Sequence, residues 1–223
     1  MDKRNKLKES LGGFLTLLCD LMLLNILWLV CSLPIITVGP STCALFACML
    51  KISRDELGES TTRTFFRAFK DNFRNAFFYG LIGLAALFVL YVDISFAVAQ
   101  EGIMRKVLLV SSGTAGAVVL IYLSFVFALQ ARYENSFKGQ IKNAFLLAFC
   151  SPLKTLLMWI VYAIPVSLII FLPFELVLRL GFLFLMFGIS LPVYFNCKTL
   201  RNIFDKFVKE TDTNGQTESE SAG

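Results

Sequence analysis

Residues 10–50 of the chain read SLGGFLTLLCDLMLLNILWLVCSLPIITVGPSTCALFACML, a stretch of 41 positions with one charged residue, Asp20. As an α-helix rising about 1.5 Å per residue it would reach about 60 Å, two thicknesses of a hydrocarbon core of about 30 Å. The stretch therefore predicts two membrane crossings. We expect the break at 31–34 (Cys-Ser-Leu-Pro), because proline lacks a backbone N–H and disfavours helix in the residue before it.

The composition of the whole chain has the same apolar character. Of its 223 residues 57% are hydrophobic and 17% are charged, and the mean hydropathy is +0.70. Soluble domains carry about a quarter charged residues, so the composition excludes a water-soluble globular protein and indicates an integral membrane protein. The net charge of +5 is mild and its charges lie between long uncharged stretches, so we expect no nucleic-acid partner.

Four later stretches with few or no charges are also long enough to cross a membrane as single helices. The predicted fold is therefore all-α: a polytopic transmembrane helical bundle of about six spans, with short basic amphipathic helices at the membrane interface. Residues 1–210 would form a single transmembrane domain, followed by a disordered tail at 211–223 that lacks large apolar side chains. The spans are expected near 11–33, 35–50, 76–99, 107–130, 155–173 and 180–197.

The basic residues predict the orientation, because cytoplasmic loops retain an excess of Lys and Arg. With six crossings, 18 of the 21 Lys and Arg residues fall in the two tails and in the segments 51–74 and 131–154. The other side receives Arg105, Lys106 and Arg179. We therefore expect a multi-pass protein with both termini in the cytoplasm.

Amphipathic segments follow three of the predicted spans. Phenylalanines between positions 65 and 77 fall on one helical face and four cations on the other, the segment after 197 repeats this arrangement, and 137–149 is a weaker version. Such helices lie in the headgroup layer with their rings toward lipid and their cations toward anionic phosphates, so the bilayer is an expected partner. The predicted lipid-interface residues are Arg63, Arg67, Lys70, Arg74, Lys198, Lys206 and Lys209.

A five-residue pattern recurs in these segments, as FRNAF at 73–77, IKNAF at 141–145 and LRNIF at 200–204. Each copy follows a pair of predicted spans, so three helical hairpins, each closed by a basic segment, would explain the recurrence. Chance recurrence in a chain rich in Phe explains the short pattern equally well.

The third and fourth predicted spans contain polar or small residues in apolar surroundings. Asp93 lies toward the outer end of the third span. In the fourth, Ser112 and Gly116 are small residues four positions apart, a spacing that predicts a face for close helix packing.

The first span contains the most deeply placed polar residues. Asp20 lies near its middle, and Asn25 follows five positions later on roughly the same side of the helix. Because an unpaired charge at the centre of a bilayer costs several kcal/mol, such residues are candidates for function.

The segment at 33–42, LPIITVGPST, has two interpretations. In one, Pro40 starts a short helix inside the membrane, and the N–H groups at its N-terminus hold a polar or anionic ligand with Asp20 as the counter-charge. In the other, which we favour, the segment is a tight outer turn with proline at its corner.

No pattern in the sequence indicates catalysis or metal binding. There is no His, and the six Cys show no CxxC spacing and lie in or beside apolar runs, so we expect them to pack as small hydrophobic residues. No nucleophile has a neighbouring base, and no Gly-rich phosphate loop follows a strand. We therefore expect no enzymatic activity, no cofactor and no metal site.

Three short motifs are distinctive: W-x-x-C-S-L-P-I-x-T-x-G-P at 28–40, Ala-Leu at 44–45 and F-F-x-x-F-K-x-N-F at 65–73. Together they resemble the YesL family of bacterial membrane proteins, whose function is not established, and the likeness extends from Gly12 to about Val208. Members of that family are commonly encoded beside carbohydrate-uptake transporters in Gram-positive bacteria. The resemblance implies a place in the bacterial cell membrane and an accessory role in sugar uptake, and it supplies no catalytic residues.

Two functional hypotheses follow. The first is a non-enzymatic integral membrane protein that is accessory to, or regulates, a carbohydrate-uptake transporter, with a sugar transporter or sensor protein as its partner. The alternative is a small-solute transporter or channel with a polar site near Asp20 and the Pro34 to Thr42 segment. The candidate residues of that site are Asp20, Asn25, Thr37, Gly39, Pro40 and Ser41.

Overall fold

The chain folds into a bundle of α-helices, seen in a computed structural model that describes residues 3–133 and 137–204. Side chains are described from Gly12 onward in these ranges, apart from those of Phe137, Phe174 and Leu178. The described residues contain no strand, and the predicted all-α helical bundle is confirmed. Within them, six stretches are long and apolar enough to cross a membrane: Gly12–Cys31, Ile35–Ile52, Thr61–Val98, Gly102–Arg132, Pro152–Phe171 and Arg179–Phe204.

Proline and glycine mark several of the helix boundaries. Pro152 occupies the first turn of its helix, where a missing N–H removes no helical hydrogen bond. Gly102 has φ +64° at the turn between the two longest helices, a left-handed conformation that glycine adopts without a steric penalty. The helices are α1 (Lys3–Cys31), a 3-10 turn (Ile35–Thr37), α2 (Val38–Ile52), α3 (Thr61–Val98), α4 (Gly102–Arg132), α5 (Phe137–Cys150), α6 (Pro152–Phe171), α7 (Phe174–Phe187) and α8 (190–204, to the end of the described residues).

The core of the bundle surrounds α2. Every side chain from Cys43 to Leu50 is buried, and α1, α3 and α4 pack around this helix. Its 15 residues give a length of about 22 Å, less than the thickness of a hydrocarbon core. Because its side chains are buried, α2 is surrounded mainly by other helices of the bundle.

The connection from α1 to α2 is a tight turn. Only Ser32, Leu33 and Pro34 separate the end of α1 from the 3-10 turn. The interpretation in which Pro40 starts the second helix is wrong, because α2 begins at Val38 and Pro40 lies within its first turn; the favoured interpretation is a tight turn. At the tip of this turn Leu33, Ile35 and Ile36 are exposed, as is expected for side chains that contact lipid.

The amphipathic segment at 63–77 is not a separate interfacial helix. It forms the first part of α3, which runs unbroken for 38 residues and is therefore about 57 Å long, nearly twice the hydrocarbon thickness. No helix breaker separates the basic half from the apolar half, so the two predicted elements form one helix. Phe65 is fully buried against the protein core, so this ring does not point toward lipid as predicted.

The later amphipathic segments differ in the same way. The segment that follows residue 197 continues α8, and its Leu200, Ile203 and Phe204 are buried in the core. Only α5, which contains the weaker pattern, is a separate short helix. The apolar face of an amphipathic helix can pack on protein as well as on lipid, and the sequence pattern alone does not distinguish the two.

The ends of α3 and α4 that meet at the Gly102 turn form a two-helix projection, residues 84–121, which we call the distal hairpin. Only Ala97 and Ser112 are buried in it. Within the described part of this chain no helix packs closely on Gly116 of the predicted packing face, since a Cβ added there would meet nothing within 4 Å. Two helix backbones do approach closely where α2 meets α3, at Gly39 and Gly80.

Candidate functional site

Asp20 lies at the contact between α1 and the start of α3. Its Oδ1 accepts a hydrogen bond of 2.6 Å from the hydroxyl of Thr61, which is the first residue of α3 and is buried. The partial positive charge at a helix N-terminus also favours a carboxylate at this place. Asp20 therefore holds α1 against α3, which accounts for a carboxylate within an apolar span.

Asn25 joins α1 to the break between α7 and α8. Its Nδ2 donates to the carbonyl of Leu185 at 2.7 Å, and its Oδ1 accepts from the backbone N–H groups of Ile189 at 3.0 Å and Ser190 at 2.9 Å. These are backbone groups that a helix end leaves without partners. Asn25 is 1% exposed, so its hydrogen-bonding capacity is used within the protein.

The hydroxyls of the Pro34 to Thr42 segment bond to their own turn. Thr37 Oγ1 lies 2.6 Å from the carbonyl oxygen of Cys31 and 2.7 Å from that of Pro34. Ser41 donates to the carbonyl of Thr37 at 2.8 Å. These bonds lie within the α1–α2 turn, where the carbonyl of Cys31, the last residue of α1, gains in Thr37 a donor that the helix no longer supplies.

Gly39 is the point of closest approach between α2 and α3. A Cβ at this position would lie 2.2 Å from the carbonyl oxygen of Ala76 and 3.0 Å from the Cα of Gly80. A Cβ at Gly80 would in turn lie 2.9 Å from the Cα of Gly39. Pro40, the next residue, is buried. The two glycines are required because backbone meets backbone here.

The six candidate residues therefore engage different elements. Asp20 contacts α3, Asn25 contacts the α7–α8 break, and the segment from Thr37 to Ser41 contacts its own turn and α3. In the part of the chain that the structure describes, no three Cys, Asp or Glu residues gather into a group able to hold a metal ion. Cys43, Cys48 and Cys197 are buried, and the six thiols are free.

Several interhelical polar contacts were not predicted from the sequence. Gln130 Nε2 donates to Asn72 Oδ1 at 3.0 Å, and the hydroxyl of Tyr122 donates to the carbonyl of Tyr79 at 2.9 Å, both between α3 and α4. Ser112 donates to Asp93 within the distal hairpin. The sequence shows that these apolar helices contain polar side chains, but it does not indicate which of the side chains pair.

Most of the predicted lipid-interface cations lie on the surface. Arg63, Lys70 and Arg74 are exposed on α3, and Lys198 is exposed on α8. Arg67 also pairs with Glu59 at 3.1 Å, an exposed ion pair. Lys206, Lys209 and the predicted disordered tail at 211–223 lie outside the described residues.

The three copies of the recurring pattern have the same orientation in the bundle. The fourth residue of each copy is buried, at Ala76, Ala144 and Ile203. The basic residue two positions earlier is exposed in each case. Each copy therefore places an apolar residue toward the core and a cation toward the outside. This shared requirement explains the recurrence, with or without an ancestral repeat.

The chain is similar to known proteins over a region that contains several of the contacts described above. Residues 21–94 match the family described as a protein of unknown function, DUF624, and they include the α1–α2 turn and the contact between Gly39 and Gly80. The chain is 28% identical over 153 residues to the uncharacterized protein YesL of Bacillus subtilis (strain 168), an alignment covering 67% of this chain and 72% of that relative. No solved structure matches the chain.

Proposed function

We propose that the chain, which is similar to the DUF624 family of unknown function and to YesL, is an accessory or regulatory subunit of a carbohydrate-uptake transporter, without catalytic activity of its own. The distal hairpin is the observation that supports this proposal. It extends from the packed core, and almost all of its side chains are available to lipid or to another transmembrane helix.

Asp93 distinguishes this surface from an ordinary lipid-facing one. It is half-buried in the apolar part of α3, five residues before the last residue of the helix, which places it about 8 Å from that end. Among the described residues it has one hydrogen-bond partner, Ser112. Intramembrane carboxylates are usually paired, and polar side chains hydrogen-bond between transmembrane helices. A partner helix with a polar or cationic side chain at this depth would complete the pairing.

Site-specific cross-linking in native membranes tests the accessory role. A photoreactive residue replaces Val110 in the distal hairpin, which is 71% exposed, and in a matched control it replaces Leu153 on α6, which is 82% exposed. We expect the membrane subunit of a sugar transporter to be captured at Val110 and not at Leu153, and we expect deletion of the chain to lower sugar uptake. Recovery of the chain alone, together with unchanged uptake in the deletion strain, would contradict the proposal.

The alternative function, a small-solute transporter with Asp20 in its site, makes a different prediction for Asp20→Asn. An amide oxygen still accepts a hydrogen bond from Thr61, so a structural Asp20 predicts a change of less than about 1 kcal/mol in the free energy of unfolding. Asp20→Leu leaves the buried hydroxyl without this partner and should cost about 2 kcal/mol. Denaturant unfolding in detergent measures both. Solute flux in reconstituted vesicles that is present in the parent and abolished in Asp20→Asn would favour the transporter instead.

The proposed orientation, with both termini in the cytoplasm, is tested by thiol labelling in a background without the native cysteines. Glu56 precedes α3 and Glu101 precedes α4, and both side chains are exposed. In intact cells an impermeant maleimide should label Glu101→Cys, while Glu56→Cys should react only after the membrane is permeabilised. The reverse pattern would place the basic segment at 51–74 outside the cell and would contradict the charge argument.

A further inference from the structure

A groove runs between α1, α6, α7 and α8. Its volume is about 570 Å³, and its lining includes Leu18 of α1, Pro165 of α6, Leu183 of α7 and Phe195 of α8. Thr155 and Met158 are the buried residues of α6, and four residues further along the same helix contribute to the groove lining. Gly188, at the break between α7 and α8, also lines the groove.

The chemistry of the lining restricts what can occupy the groove. Its side chains are Leu, Ile, Val, Phe and Pro, without a charged or polar side chain. A polar solute would lose its hydrogen bonds to water there and gain none, which is unfavourable. A flexible hydrocarbon chain meets no such penalty and fills an irregular apolar groove.

A cation lies beside the groove. Arg179 directly precedes Leu180, which lines it, and the side chain of Arg179 is exposed. Glu175 lies one turn earlier, and the structure describes no ion pair between the two. Helical periodicity places Glu175 further from the groove face than Arg179. A guanidinium binds phosphate oxygens through paired N–H groups.

We propose that this groove is a binding site for an anionic phospholipid, with one acyl chain between α6 and α7 and its phosphate on Arg179. An apolar groove with a cation at its edge matches both parts of an anionic phospholipid, the acyl chain and the phosphate, whereas an uncharged apolar helix would match the groove alone. The site is separate from the distal hairpin and does not depend on the accessory role.

Native mass spectrometry of the full chain with an equimolar mixture of phosphatidylglycerol and phosphatidylcholine of identical acyl chains tests the proposal. The parent should retain phosphatidylglycerol preferentially. Arg179→Gln should lose this preference roughly fivefold, the effect of one cation near a headgroup, whereas Arg179→Lys should keep most of it. Arg105→Gln, which removes an exposed cation at the start of α4, is the matched control and should leave the preference unchanged.

A second variant tests the groove itself. Leu183→Trp places a larger side chain in the groove and should reduce retention of both lipids, with helicity and elution volume as checks that the fold is intact. The proposal is overturned if the parent does not distinguish the lipids, if Arg105→Gln and Arg179→Gln behave alike, or if a correctly folded Leu183→Trp retains lipid as the parent does. It is also overturned if the lipid-free parent is a dimer that Leu183→Trp converts to a monomer, because the groove would then hold a second copy.

Discussion

Gly39→Ala should lower the free energy of unfolding by about 3 kcal/mol, the upper part of the usual range for overpacking in a protein interior. The added Cβ would lie 2.2 Å from the carbonyl oxygen of Ala76, which is backbone and cannot rotate away. α2 and α3 must therefore separate, and the contacts of the central helix with α3 are lost along its length. Gly80→Ala should act in the same direction, because its Cβ would meet the Cα of Gly39 at 2.9 Å.

The measurement is denaturant unfolding in detergent, followed by tryptophan fluorescence. Trp28 is a suitable reporter because its Nε1 donates to Thr42 of α2 at 3.1 Å, so separation of the helices changes its surroundings. Gly113→Ala is the matched control: it lies within α4, and a Cβ there would meet nothing within 4 Å. Alanine is favoured over glycine inside a helix, so this control should gain up to about 1 kcal/mol. Equal stabilities for Gly39→Ala and Gly113→Ala would show that α2 and α3 are not in close contact.

Asn25→Leu should be the most damaging change to a hydrogen-bonded side chain, with a loss of about 4 kcal/mol in the free energy of unfolding. The substitution leaves the N–H groups of Ile189 and Ser190 and the carbonyl of Leu185 without the partners that Asn25 provides. Each buried backbone group that loses its partner costs about 1–3 kcal/mol, because an apolar interior contains no water that could replace the lost hydrogen bond. The break between α7 and α8 should then lose its fixed geometry.

Two further variants separate this hydrogen-bonding role from side-chain volume. Asn25→Asp keeps an oxygen to accept from both N–H groups and should be less damaging than Asn25→Leu. Asn75→Leu, at an exposed position on α3, should change stability by less than about 0.5 kcal/mol. Limited proteolysis at the 188–189 turn reports the local effect: cleavage should accelerate in Asn25→Leu and not in Asn75→Leu. Equal losses for Asn25→Leu and Asn25→Asp would mean that the bonds to Ile189 and Ser190 contribute little.

Both predictions concern residues that the sequence marked as unusual, yet the structure gives them different roles from those first considered. The sequence places Gly39 and Asn25 in one candidate polar site near Asp20 and the Pro34 to Thr42 segment. In the bundle, one is a backbone contact with α3 and the other a support for the α7–α8 break. The partners of Asn25 lie 160 to 165 positions away, a pairing that no local pattern reveals.

The sequence by itself determined the class of fold and the helical stretches able to cross a membrane, because lipid imposes a simple rule: a crossing helix must be long, apolar and internally hydrogen-bonded. That rule acts on each segment separately, so composition and length suffice. Only the tertiary structure decided that the basic segment at 63–77 continues into α3, that Phe65 faces protein, and that Asp20 pairs with Thr61. Such choices depend on which helix lies beside which, and in an apolar solvent that is set by close packing and a few polar contacts between distant residues.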